Sequence, residues 1–196
     1  LMGAIAPGML YMLAIVAVFS AMGIGLLMAF KPHLAKTLSV PYAMIEGVFL
    51  GAVSAVAYYK APSVPLMALS ATFITAAVML TLYTTGIVKV GEKFRSIITS
   101  ATIAIAIVYF IQLGMSLIFS SSIPGLFGGG LIAIGFSVFV TIIASFNLLL
   151  DFDNVERSVS YGVDQEFEWV HSVGILATLV WMYVEMLRLI GYLQND

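Results

Sequence analysis

Six runs of about twenty or more mostly apolar residues, each fenced by charge, proline or glycine, leave this chain little choice but to cross a lipid bilayer. They extend from Pro7 to Phe30, Val40 to Tyr58, Val64 to Gly86, Ser96 to Phe119, Gly129 to Leu150 and Trp169 to Tyr192. Inside hydrocarbon a backbone has no water to bond, so each run must satisfy its own N–H and C=O groups as a helix. The breaks carry their own chemistry. Lys31-Pro32-His33 stops the first helix, Ala61-Pro62-Ser63 separates the second from the third, and Gly86 with Lys89 to Arg95 closes the third. Ser120-Ser121-Ser122-Ile123-Pro124-Gly125 is a turn, and Gly128-Gly129-Gly130 is expected to let the fifth helix start close to a neighbour. The expected fold is all-α: a polytopic transmembrane helical bundle forming one domain over residues 1–196. The chain opens on the apolar stub Leu1 to Ala6 rather than on Met, and a seventh helix upstream is expected.

Composition agrees with that reading. Charged residues are 9% of the chain and hydrophobic ones 62%, against about 25% and roughly 45 to 50% in soluble domains. With a net charge of −2 and no basic cluster beyond Lys89, Lys93 and Arg95, no nucleic-acid partner is expected. The expected surroundings are the lipid bilayer. Cysteine is absent, which removes disulfides and thiolate metal sites. Enzyme templates fail too. Asp151-x-Asp153 begins like a calcium loop, but position six is Glu156 rather than Gly and position twelve is Gly162 rather than Glu. His33 and His171 stand outside any H-E-x-x-H pattern, and there is no phosphate-binding glycine fingerprint or G-x-S-x-G elbow. Neither an enzymatic activity nor a cofactor is expected.

Basic residues set the orientation, because Lys and Arg are retained on the cytoplasmic side. Lys31, Lys36, Lys89, Lys93, Arg95 and Arg157 fall in loops on one side, Lys60 stands alone on the other, and Arg188 lies within the last helix. The first side is expected to be cytoplasmic. The scarce acids can then be placed by depth at 1.5 Å per residue. Glu46 falls about 9 Å inside the cytoplasmic boundary, and Asp151 falls at that boundary with Asn147 one turn deeper on the same face. Glu185 falls about 9 Å below the outer boundary, and Thr178 about 10 Å deeper on nearly the same stripe. A route past Glu185, Thr178, Glu46 and Asp151 would join the two sides.

Each of these residues also has a plain structural role. Glu185 and Arg188, three apart, can neutralise each other at a helix end. Glu46 has no basic neighbour nearby in its own helix, which favours a functional carboxylate over a protonated acid bonded to another helix. Asp153 and Glu156 read as a solvated helix end, and Asp164, Glu166 and Glu168 as a solvated acidic loop suited to a helix N-terminus. Gly47 and Gly51 form a small-xxx-small pattern that predicts close helix packing.

The tract NLLLDFDNVE from Asn147 to Glu156, the YAMIEGVFLG helix from Tyr42 to Gly51, and the segment from Glu168-Trp169 to Leu187-Arg188-Leu189 resemble the Bax inhibitor-1 family, in particular its bacterial branch. The resemblance covers essentially the whole chain, and its most specific parts are the Glu-Gly helix and the Leu-Asp-Phe-Asp tract. It implies a seven-helix fold with the last helix at the centre, in a bacterial cytoplasmic membrane. It also implies a pH-sensitive calcium leak in which an acid on the penultimate helix and one on the last helix share a proton. Asp151 matches the first position. Aligned through Leu187-Arg188, the second position holds Thr178, and the only acid between Trp169 and Tyr192 is Glu185.

By depth, Glu46 is therefore expected to partner Asp151, and Glu185 to form a separate outer station. Two carboxylates held close cannot both ionise cheaply, which makes such a pair proton-sensitive. Their oxygen atoms suit calcium, a hard cation, so Glu46 and Asp151 are the expected transient ligands of a permeant calcium ion. Two other classes stay open: a non-conducting regulator that binds another membrane protein, and a proton-coupled transporter, which the lack of an internal repeat disfavours.

Overall fold

The computed structural model describes residues 7–119 and 121–195. Among them run α1 (Pro7–Phe30), α2 (Ala35–Lys60), α3 (Val64–Thr84), α4 (Glu92–Phe119), α5 (Leu131–Ser160) and α6 (Glu166–Asn195), with no strand between them. Among the described residues six helices are long and apolar enough to cross a membrane, so the fold is a helical membrane bundle. The stub Leu1 to Ala6 and Ser120 of the turn cluster lie outside the described residues.

The breaks act as their residues dictate. Pro32 opens a single 3-10 turn, Pro32–Leu34, between α1 and α2, and a proline in the first turn of α3 gives up only an N–H that would lack a helical partner. α5 ends where Gly162 takes φ 64°. There Val163 N–H bonds the Ser158 carbonyl at 3.0 Å and Gly162 N–H bonds Val159 at 3.2 Å, a closure that needs a left-handed residue and so favours glycine. Gly129 and Gly130 are also left-handed, at φ 89° and 83°, yet a Cβ on either would meet nothing within 4 Å. They turn the backbone into α5; they do not bring it close to a neighbour.

Four helices extend well past their hydropathy boundaries. α2 starts at Ala35 rather than Val40, α4 at Glu92 rather than Ser96, and α5 continues to Ser160 rather than stopping at Leu150. α6 gains a turn's worth of residues at each end, Glu166 to Asn195. Hydropathy marks only the part of a helix that lies in hydrocarbon, whereas ion pairs and interfacial water support the rest.

Apolar seams fix the arrangement. Ala21, Met28, Ala35 and Tyr42 join α1 to α2 and receive Val170, Val173, Leu176 and Ala177 of α6. Val64 and Ala68 of α3 pack on Tyr183 and Leu187 of α6, and Ala144 and Leu148 of α5 pack on Met182 of α6. The last helix enters these three seams and, through Trp181, the fourth as well, the central place that the family resemblance implies. The fourth seam joins Ile98 and Ile105 of α4 to Val140, Ile143 and Leu150 of α5. Gly47 and Gly51 correct an expectation: both are exposed, with nothing within 4 Å of a built Cβ. The helix seam uses the opposite stripe of α2, where Tyr42 and Glu46 are buried. Outward-facing Leu66, Phe73, Ile74, Ile103, Ile107 and Phe110 are exposed, as lipid solvation requires.

Candidate functional site

Six of the acids, Glu46, Glu92, Asp151, Asp153, Glu156 and Glu185, fall into three environments. The first is a cavity of about 500 Å³ among α1, α2, α4 and α6, whose lining includes Tyr42, Glu46, Tyr109, Trp181, Glu185 and Arg188. Glu185, 2% exposed, is fully engaged there. Arg188 Nη2 donates to its Oε2 at 2.6 Å, the Tyr109 hydroxyl donates to Oε1, and Trp181 bonds it as well. Arg188 in turn donates from Nε to Ser137 Oγ at 3.4 Å. Its guanidinium lies 5.2 Å from the ring centroids of Tyr109 and Phe127 and 5.5 Å from that of Phe136, within reach of cation–π attraction. Glu46, also buried, has one side-chain partner among the described residues, the Tyr42 hydroxyl one turn earlier. Of the two carboxylates, Glu185 is neutralised by a cation and Glu46 is not.

Asp151 forms the second environment. It faces α6, where Thr178 Oγ1 donates to its Oδ2 at 2.6 Å. Gly174, one turn before Thr178, leaves its other oxygen room: a Cβ there would stand 3.9 Å from Asp151 Oδ1. The position that holds an acid in the family pattern is therefore next to Asp151 in space, as the alignment through Leu187-Arg188 requires, but it offers a hydroxyl. Asn147 is turned elsewhere. Its amide donates to Thr102 Oγ1 of α4 and to the Ile143 carbonyl, both at 2.8 Å.

The expected pairing of Glu46 with Asp151 is not among the described contacts, because the two acids meet different faces of α6: Ala177 and Trp181 line the Glu46 cavity, whereas Gly174 and Thr178 meet Asp151. Depth does not separate them, since Glu46 lies about 16 Å from the start of α2 and Asp151 about 14 Å from the end of α5. Glu185, about 15 Å from the far end of α6, shares the Glu46 cavity. Asp151, nine residues short of the end of α5, stays with Thr178.

The third environment corrects the reading of Asp153 and Glu156 as merely solvated. The Asp153 side chain, 13% exposed, pairs with Arg95 of α4 and accepts from Arg157 Nε at 2.7 Å. Arg95 Nη1 also reaches Asn154 Oδ1 at 2.7 Å, Arg157 Nη1 reaches Glu92 at 3.1 Å, and the Tyr83 hydroxyl of α3 donates to Glu156. Asp153 is the hub between two arginines, so Asp153→Ala leaves these cations facing each other across the α4–α5 contact. Because the network is partly solvated, the expected loss is about 1 to 2 kcal/mol. Detergent-micelle unfolding compared with wild type measures it, and an unchanged midpoint would show that water replaces the carboxylate without cost.

Sequence reasoning missed Tyr109 and Arg95. The signal was present on α4: Arg95, Thr102 and Tyr109 recur every seven residues with buried Ile98 and Ile105 between them, and each of the three polar residues bonds α5 or α6. Among the described residues no group of three or more His, Asp and Glu could hold a metal ion.

No curated protein and no solved structure matches the chain. Residues 1–195, in contrast, match the family described as Bax inhibitor 1 like. That span takes in the Glu46 helix, the Asp151 tract and the central last helix alike, and the chain belongs to this family.

Proposed function

We propose that the protein is a pH-sensitive calcium leak of the bacterial cytoplasmic membrane, controlled by protonation of carboxylates inside the bundle. The observation that carries this reading is the mid-bundle cavity, where Glu46 has a tyrosine but no cation as partner while Glu185 is neutralised by Arg188. A buried carboxylate without a counter-ion is costly unless it is protonated or meets a cation in passage. Asp151, held by the Thr178 hydroxyl, is a second acid on the side expected to be cytoplasmic. Family membership supports the same reading.

The sign of the pH response follows from charge. Ionised Glu46 and Asp151 attract a divalent cation, and protonation removes that attraction, so efflux falls as the medium is acidified. Purified protein in calcium-loaded liposomes tests this across pH. Glu46→Gln and Asp151→Asn imitate the protonated forms and are expected to keep efflux low at every pH. A wild-type pH response in both variants would falsify the mechanism. Absence of flux from the wild type, together with a membrane-protein partner recovered by crosslinking, would favour a non-conducting regulator.

A further inference from the structure

We infer that a second cavity, between α2, α3 and α6, is a binding site for a single-chain anionic amphiphile whose carboxylate is held at Lys60. This cavity of about 280 Å³ is walled by Val53, Val56, Ala57, Val64 and Leu187, and its charged lining consists of Lys60 and Arg188. It thus pairs aliphatic walls with positive charge and no acid, the complement of a fatty carboxylate. Arg188 lines both this cavity and the acidic one, but its charge is already shared with Glu185. Lys60 is different: it is exposed at the end of α2, and no ion pair or side-chain hydrogen bond involves it among the described residues.

Depth and shape choose the ligand. Tyr58 and Tyr59, both more than half exposed beside Lys60, mark the interfacial level at which aromatic rings and lipid headgroups meet. An ammonium at that level with an aliphatic hollow beneath it matches a carboxylate head followed by a methylene chain. The hollow follows one stripe of α2, from Val53 through Val56 and Ala57 to Lys60, against Val184 and Leu187 of α6. A single stripe that ends in one ammonium seats one acyl chain and one carboxylate rather than the two chains of a phospholipid. The site does not depend on cation passage, so it stands or falls separately from the leak.

Photolabelling tests the inference directly. Full-length protein in detergent is irradiated with dodecanoate bearing a diazirine on its chain, and the adducts are mapped by mass spectrometry. Adducts are expected on residues 53–64 and 184–192, displaced by excess dodecanoate but not by dodecanol or millimolar inorganic phosphate. Lys60→Gln, a surface change, is expected to reduce labelling at least fivefold, and Ala57→Leu, which fills the hollow, to do the same. Equal labelling by a diazirine dodecanol overturns the carboxylate preference. Displacement by phosphate alone would mean a free-anion site and no amphiphile, and labelling indifferent to both variants places the ligand elsewhere; either result rejects the proposal.

Discussion

Replacing Arg188 with Met is expected to destabilise the bundle by about 3 to 5 kcal/mol, the usual consequence of stranding one member of a buried ion pair. Glu185, 2% exposed, would keep only the neutral donors Tyr109 and Trp181. Removing the acid as well changes the balance. In Glu185→Leu with Arg188→Met, two costly desolvations disappear together, and well-packed apolar pairs often replace buried ion pairs without net loss. The double variant is therefore expected to recover most of the stability lost by the single one. Denaturant titration in mixed micelles measures both. A double variant as unstable as the single one would show that Arg188 acts mainly through its three aromatic neighbours, Tyr109, Phe127 and Phe136.

Leu148→Ala is expected to cost about 2 kcal/mol, near the lower end for core truncations. Leu148 of α5 is fully buried against Met182 of α6. In water such a change loses both transfer energy and packing; between membrane helices lipid is as apolar as leucine, so the packing loss dominates. The same reasoning predicts little effect from Phe110→Ala, since Phe110 is 58% exposed on the lipid face and acyl chains fill the space it leaves. Equal losses from the two variants would contradict the inside and outside assigned to α4 and α5.

These contrasts show which properties hydropathy can encode. The six spans were legible because hydrocarbon admits little except helix, and the family was legible in the Glu46 and Asp151 tracts. Polar pairing was not. Glu46 was assigned to Asp151 by depth, but depth does not say which face of α6 an acid meets: Ala177 and Trp181 for Glu46, Gly174 and Thr178 for Asp151. The continuation of α5 from Asp151 to Ser160 was equally hidden. It is a polar helix, bound to its neighbours by Asp153, Asn154 and Glu156 through Arg95 and Tyr83, and its partners are remote in sequence. The pairing of Asp151 with Thr178 was visible only as an alignment position until α5 and α6 were seen in contact.

The place of α6 in all four seams has a consequence for how the protein is made. The chain leaves the ribosome from its N-terminal side, so α1 to α5 enter the membrane before the helix against which Met28, Tyr42, Ala68 and Leu148 close. Arg188 arrives late as well, while Tyr109 and Ser137, its neighbours in the finished bundle, are already in lipid. Assembly is therefore held back until the thirty residues of α6 arrive, and a nascent chain stalled before them exposes unfinished seams to whatever insertion machinery or protease surveys the bilayer.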